Sequence, residues 1–303
     1  MPDLILMGAG ASYGSENDTT LVPPLAVDLF DALLKFEPKL WSHVTEEVAA
    51  EFRLNFEQGV LAQYTQSRVL LSHLQRSMAG FFFRYGPSSA NLYLKLANRI
   101  KKTGWAGSVA TLNYERLLQF AMIRAGLNIV CGPNLTPNST EICFPHGCCN
   151  LFCESVRGAA GMVAMDPFSV STRGPIIALD EPRSFWHRLR TDAFPPVMSY
   201  FEPAKMTTSG ANFIEQQRGR LQDLIVGADY IAIIGVTVRE QDNHIWDSLA
   251  ATKARIYYCS GVASQPQYFD WQKRKRPNSG DIVSDKYWKE DFDAVCDHMQ
   301  LQL

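Results

Sequence analysis

Five stretches of this sequence place small, polar or ionisable residues directly after apolar runs. Gly8-Ala9-Gly10-Ala11-Ser12 follows Leu4 to Met7, and Thr111-Leu112-Asn113-Tyr114-Glu115 follows the run from Ser108. Pro145-His146-Gly147 follows Ile142, Cys143 and Phe144. Gly235-Val236-Thr237, with Asp242 and His244 beyond it, follows the run from Tyr230, and Cys259-Ser260-Gly261 closes the run from Arg255. Glycines such as Gly8 and Gly10 let backbone N–H groups come close to a phosphate, and Ser12 adds a hydroxyl. The third glycine of a full GxGxxG is missing and the next residues read as loop, so a plain tight turn fits equally well. The amide of Asn113 can hold a ribose hydroxyl or a water, and a neutral imidazole at His146 can take a proton near pH 7. A lone histidine more often packs than reacts. His146, however, follows an apolar run and precedes a glycine, which favours a role at a site.

These residues need a scaffold that brings the ends of several runs together. Strands are predicted at Leu4 to Met7, Ser108 to Asn113, Asn128 to Cys131, Ile142 to Pro145, Val197 to Phe201, Tyr230 to Gly235 and Arg255 to Cys259. Helices are predicted at Glu115 to Ala125, Asn212 to Val226, Asn243 to Thr252 and Asp285 to Met299. Apolar strands without polar alternation, interleaved with helices, predict an α/β Rossmann-like fold whose parallel sheet is covered on both faces. Ligands of such sheets bind at the carboxyl ends of the strands. Residues 17–103 carry apolar residues at three- and four-residue steps, Leu70, Leu71 and Leu74 among them, and predict a helical insertion. The whole chain, 1–303, reads as one domain, with a small irregular module at 148–195.

Composition narrows the functions. The chain has 303 residues, 29 basic and 31 acidic, for a formal charge of −2, which argues against a dedicated polyanion binder. The run Lys273-Arg274-Lys275-Arg276 beside Pro277 reads as a solvated loop, so direct nucleic-acid contact is not expected. The apolar runs are about half the length of a bilayer span, and no cationic segment precedes the first, so a soluble cytoplasmic protein is expected. Seven cysteines spread along a long chain do not predict a disulfide framework.

Taken in order, GAGAS, TLNYE, PHG and GVT with Asp242 and His244 resemble the motifs of sirtuins and sirtuin-like NAD hydrolases, more closely the bacterial branch of antiphage defence than the histone deacylases. The resemblance covers roughly residues 3–15, 107–150 and 195–262. It implies an NAD hydrolase that releases nicotinamide and ADP-ribose, with NAD as substrate and no metal. By the resemblance, Gly8, Ala9, Gly10 and Ser12 hold the NAD phosphates. Asn113 orients the attacking water or the nicotinamide ribose, and His146 is the base on a ribose hydroxyl. Thr111, Glu115, Gly235, Thr237 and Asp242 also belong to the cofactor site, and Ser260 lies near the adenosine ribose. Glu115 stands where the family has an aspartate, and so could cap its helix instead. Pro195 to Glu202 resembles the segment with which sirtuins pair an acyl-lysine peptide, so the alternatives are an NAD-dependent deacylase or a nucleotide-binding sensor without turnover. With no separate sensor region, control is expected from a homo-oligomer or another regulatory protein. The residues from Tyr13 to Pro24 are expected to cover the cofactor.

Classical sirtuin deacylases hold zinc with two CxxC pairs. Cys143, Cys148, Cys149 and Cys153 have no such spacing, and adjacent Cys148 and Cys149 point different ways. These thiols are predicted to bind no metal. Elemental analysis should find no zinc that depends on them; one zinc per chain, lost on replacing Cys148 and Cys149 by alanine, would contradict this.

Overall fold

Apolar runs line up side by side in the computed structural model, which describes residues 3–133, 136, 139–157, 172–199, 209–240 and 242–302. The strands are β1 (Leu4–Met7), β2 (Ser108–Thr111), β3 (Asn128–Val130), β4 (Ser139–Cys143), β5 (Leu151–Cys153), β6 (Ile176–Ala178), β7 (Tyr230–Ile234), β8 (Arg255–Cys259) and β9 (Ile282–Ser284). Seven of them form one parallel sheet in the order β3-β4-β2-β1-β7-β8-β9. β5 and β6 form a separate antiparallel pair. Every residue of β1 and β2 is buried, which is why both read as unbroken apolar or small runs. β1 lies centrally, with β2 on one side and β7 on the other, and the crevice beside such a strand is where open α/β sheets bind ligands.

The helices are α1 (Ala9–Tyr13), α2 (Ala26–Phe36), α3 (Pro38–Trp41), α4 (Glu46–Leu54), α5 (Phe56–Gln66), α6 (Arg68–Phe83), α7 (Leu92–Thr103), α8 (Leu117–Arg124), α9 (Pro182–Thr191), α10 (Ala211–Gly227), α11 (Asn243–Ala251), α12 (Gln265–Lys275) and α13 (Trp288–His298). Helices α2 to α7 make up the helical insertion between β1 and β2. Its core is aromatic. Phe30 stacks on Phe52 with centroids 5.2 Å apart, and Trp41 packs edge-on against both. The apolar pattern of the insertion is interrupted at Ser67, between α5 and α6, where the Ser67 hydroxyl accepts from the Leu70 N–H and caps α6.

Three expectations change. The residues after Gly8 are helical, not loop. The short α1 starts at once because Gly8 is extended at its N-cap and the Gly14 N–H closes the turn on the Gly10 carbonyl. The strand expected from Val197 does not join the sheet. Pro195 and Pro196 supply no N–H, and Val197, Met198 and Ser199 instead stitch to the turn after β4, with Ser199 N–H on the His146 carbonyl at 2.9 Å. Tyr200 and Phe201 lie outside the described residues. Arg276 is not in a solvated loop: it is buried, donates to the carbonyls of Leu249, Thr252 and Ala254 at the end of α11, and pairs with Asp281 at 3.0 Å. A buried guanidinium is tolerated there because its donors meet carbonyls and a carboxylate.

The turns after β1 and β7 touch through glycine backbone. A Cβ on Gly8 would lie 2.7 Å from the Gly235 carbonyl oxygen, and one on Gly10 would lie 2.9 Å from Gly235 Cα. Gly235 itself has φ +64°, and a Cβ there would sit 2.0 Å from the Ala11 nitrogen. Gly235→Ala therefore meets both a left-handed backbone and a backbone clash. It is expected to cost on the order of 3 kcal/mol or more. Chemical denaturation checks this; a wild-type midpoint would contradict the contact.

Candidate active site

A cavity of about 850 Å³ opens at the carboxyl ends of the central strands. Gly8, Ala9, Gly10, Ser12, Asn113, Glu115, His146, Gly235, Thr237, Asp242 and Ser260 all line it. Thr111 does not. It is buried at the end of β2, and its hydroxyl accepts from the Asn113 N–H at 3.1 Å, shaping the turn that presents Asn113.

The floor is a buried polar cluster. Ser12 Oγ donates to Glu115 Oε1 at 2.5 Å and lies 2.8 Å from Tyr93 Oη. Asn113 Nδ2 donates to Ser12 Oγ at 2.8 Å and to the Gly8 carbonyl at 3.1 Å. The single Ser12 proton goes to the carboxylate, so Tyr93 must donate to Ser12. The other Glu115 oxygen accepts from the Leu117 N–H at the start of α8. Glu115 thus both holds Ser12 and anchors α8. Asn113 likewise commits its amide nitrogen to protein, leaving the side-chain oxygen to act as acceptor for a ligand.

The glycine N–H groups are also committed: Gly8 donates to Ile234 and Gly10 to Gly235. Gly8 and Gly10 are small here because the two turns pack together. Ser260 braces the same region, its hydroxyl accepting from the Val236 N–H and donating to the Val236 carbonyl, both at 3.0 Å. Thr237 Oγ1 lies 3.4 Å from Ser264 Oγ. Beyond the floor, Ser15 and Glu16 fasten the start of the expected cover to the head of α7. The Leu92 N–H donates to the Ser15 carbonyl, and Glu16 accepts from Ser88 and from Asn91 Nδ2.

His146 stands in the turn after β4, which the Cys149 N–H ties to the Tyr114 carbonyl beside Asn113. Its Nε2 is 3.3 Å from Nε2 of His244, and Asp242 lies beside the pair. Arg239, in the loop after β7, pairs with Glu57 of α5 at 3.3 Å and joins the sheet side of the cavity to the helical insertion. Phe82, Pro23, Pro24 and Trp288 add apolar wall.

Tyr93 and Arg239 are site residues that sequence reasoning does not single out. Tyr93 sits on the buried stripe of an amphipathic helix and looks like any core aromatic. Arg239 follows Gly235-Val236-Thr237 closely, which is the one signal for it.

Of the four clustered cysteines, Cys143, Cys148 and Cys153 meet different partners, whereas Cys149 hydrogen-bonds the neighbouring Cys148, so these two thiols do not point apart as expected. Cys143 Sγ donates to the Gln217 carbonyl, Cys148 to the Tyr114 carbonyl, and Cys153 lies 2.9 Å from Ser155 Oγ. Burial pushes the Cys149 thiol well above its usual range. No helix among the described residues is long and apolar enough to cross a membrane.

No family model and no curated protein matches this sequence. Solved structures do. Two Sir2-homologue mutants, each in complex with ADP-ribose, align with TM-score 0.50 and 12% identity over 98% of this chain and 91% of theirs. A sirtuin structure solved to explain substrate affinity aligns with TM-score 0.50 and 11% identity, over 98% and 93%. The chain has the sirtuin fold.

In this sirtuin-like chain, burial raises the Glu115 carboxyl above its ordinary 4.5, against the hydrogen bonds from Ser12, Leu117 and Asn113 that lower it. The folded chain then keeps this proton to higher pH than the unfolded chain. Its contribution is full below 4.5 and is lost as pH rises through the raised value. Glu115→Gln does not titrate. The stability of wild type relative to Glu115→Gln should therefore fall as pH rises from below 4.5, read as denaturation midpoints at stepped pH. Parallel curves would contradict it.

Proposed function

We propose that this chain is an NAD glycohydrolase that cleaves the bond between nicotinamide and ribose, giving nicotinamide and ADP-ribose. The observation that carries the reading is one cavity that brings Asn113 and His146 to the crevice of a sirtuin fold. Its volume suits a small-molecule site. Similar structures are Sir2 homologues in complex with ADP-ribose, which supports a dinucleotide here.

The chemistry needs little from the protein at the leaving group. Nicotinamide departs as a neutral molecule from a cationic precursor, so no general acid is required. The transition state is oxocarbenium-like, as in glycoside hydrolysis. Asn113 accepts a hydrogen bond from a ribose hydroxyl or the attacking water through its side-chain oxygen, its nitrogen being fixed by Ser12 and Gly8. His146 takes up a proton from the ribose hydroxyl or the water. Phe82, Pro23, Pro24 and Trp288 keep bulk water away while the ribose is held. Thr237, Ser260 and Arg239 suit the phosphates and the second ribose. In the cell, by the same resemblance, the reaction depletes NAD in defence against phage, under control of a homo-oligomer or a separate sensor protein.

Purified protein given NAD and no peptide should release nicotinamide and ADP-ribose in equal amounts. Turnover that requires an acyl-lysine peptide would replace this reading with a deacylase, and binding without turnover would make the chain a sensor. His146→Ala should lose about 10²–10⁴ in rate with its melting temperature unchanged, because the ring faces the cavity. Asn113→Ala should lose as much and also about 1–3 kcal/mol of stability, since it strips donors from Ser12 and Gly8. The double variant should be no slower than the worse single one, because both act on one ribose. A His146→Ala protein with wild-type turnover would remove His146 from the mechanism.

A further inference from the structure

His146, Asp242 and His244 converge on one point although two separate segments carry them. His146 follows β4, whereas Asp242 caps α11 and His244 lies in its first turn. One donor atom from each residue lies within 4.8 Å of the other two. His146 and Asp242 are buried and His244 is half-buried, so the point sits at the cavity edge and not in open solvent.

We propose that these three side chains form a binding site for a divalent transition-metal ion of the zinc class. The Nε2 atoms of the two histidines face each other at 3.3 Å. Two imidazole nitrogens bound to one tetrahedral zinc at ~2.0–2.1 Å stand about 3.3 Å apart, so the rings already have the spacing that a shared ion demands. The Asp242 carboxylate lies within 4.8 Å of both, and an ion between them draws the three donors together. Two neutral imidazoles and a carboxylate are a borderline-soft set that suits zinc, cobalt or nickel over magnesium or calcium. The fourth position faces the cavity, where water or a ligand oxygen fills it.

The backbone holds this arrangement before any ion arrives. The Asp242 N–H donates to the Arg239 carbonyl at 2.9 Å, and the Asp242 carbonyl accepts from Ile245 and Trp246. The His146 carbonyl is fixed by the Ser199 N–H. The Arg218 charge also acts on Asp242, and the open fourth position distinguishes this site from a closed structural zinc.

Resting on the hydrolase reading, a consequence follows for regulation. The ion takes the Nε2 lone pair that His146 needs to accept a proton. Zinc is then an inhibitor of NAD cleavage, and its release frees the base.

The test uses the full chain after chelation, titrated with Co²⁺ alone and no NAD. One Co²⁺ per chain should give the visible absorption of a tetrahedral ion, without the near-ultraviolet band of thiolate ligands. His244→Ala should weaken the affinity by at least about 10-fold with its melting temperature kept. Zinc should slow nicotinamide release by wild type about 10-fold or more, and slow His244→Ala far less at the same concentration. No Co²⁺ band, a thiolate band, or wild-type affinity in folded His244→Ala would each overturn the site. Should His244→Ala not fold, Asp242→Asn carries the same comparison. A chain that binds Co²⁺ as described but releases no nicotinamide overturns the hydrolase reading and leaves the metal site standing.

Discussion

The Ser12 hydroxyl is the point on which the cavity floor depends. It donates to Glu115, receives Asn113 and meets Tyr93, so one atom ties the turn after β1 to the end of β2, the start of α8 and the helical insertion. These groups are buried, and a buried polar group without a partner costs about 1–3 kcal/mol. The cluster is therefore satisfied as a unit, and its members cannot be moved singly. That fixes the direction of the Asn113 side chain before any ligand enters.

Glycine contact supplies the second constraint. The turns after β1 and β7 approach so closely that no Cβ fits at Gly8, Gly10 or Gly235 without displacement. Their N–H groups are spent inside the sheet, Gly8 on Ile234, Gly10 on Gly235 and Gly235 on Cys259 of β8, so the cavity is bounded by a rigid backbone junction. The histidine side of the cavity is built differently. His146, Asp242 and His244 come from the turn after β4 and the head of α11, and form an ionisable cluster separate from the Ser12–Glu115–Asn113 cluster.

Much of this was legible in the sequence. Unbroken apolar runs mark strands buried on both faces, and the polar residues that close them mark the crevice. The strand β9 was not legible because three residues at the sheet edge, with Ile282 half-exposed, carry too little pattern. α9 and α12 escaped because each buries only a narrow apolar stripe in a charged surface. Val197 misled because an apolar run after two prolines looks like a strand until its hydrogen bonds are counted. The glycines were read as phosphate contacts, yet their smallness is required by backbone 227 residues away in sequence, Gly8 against Gly235, and no local pattern shows that. The Glu115 side chain has two jobs, on Ser12 and on the Leu117 N–H, and the sequence offered only the second, as an alternative to a cofactor contact.

The central claim is that this one cavity holds the ADP-ribose portion of NAD. Calorimetric titration of the full chain with ADP-ribose tests it most directly. One ADP-ribose should bind per chain, with NAD competing for the same site. No binding, or binding that NAD does not displace, would contradict it.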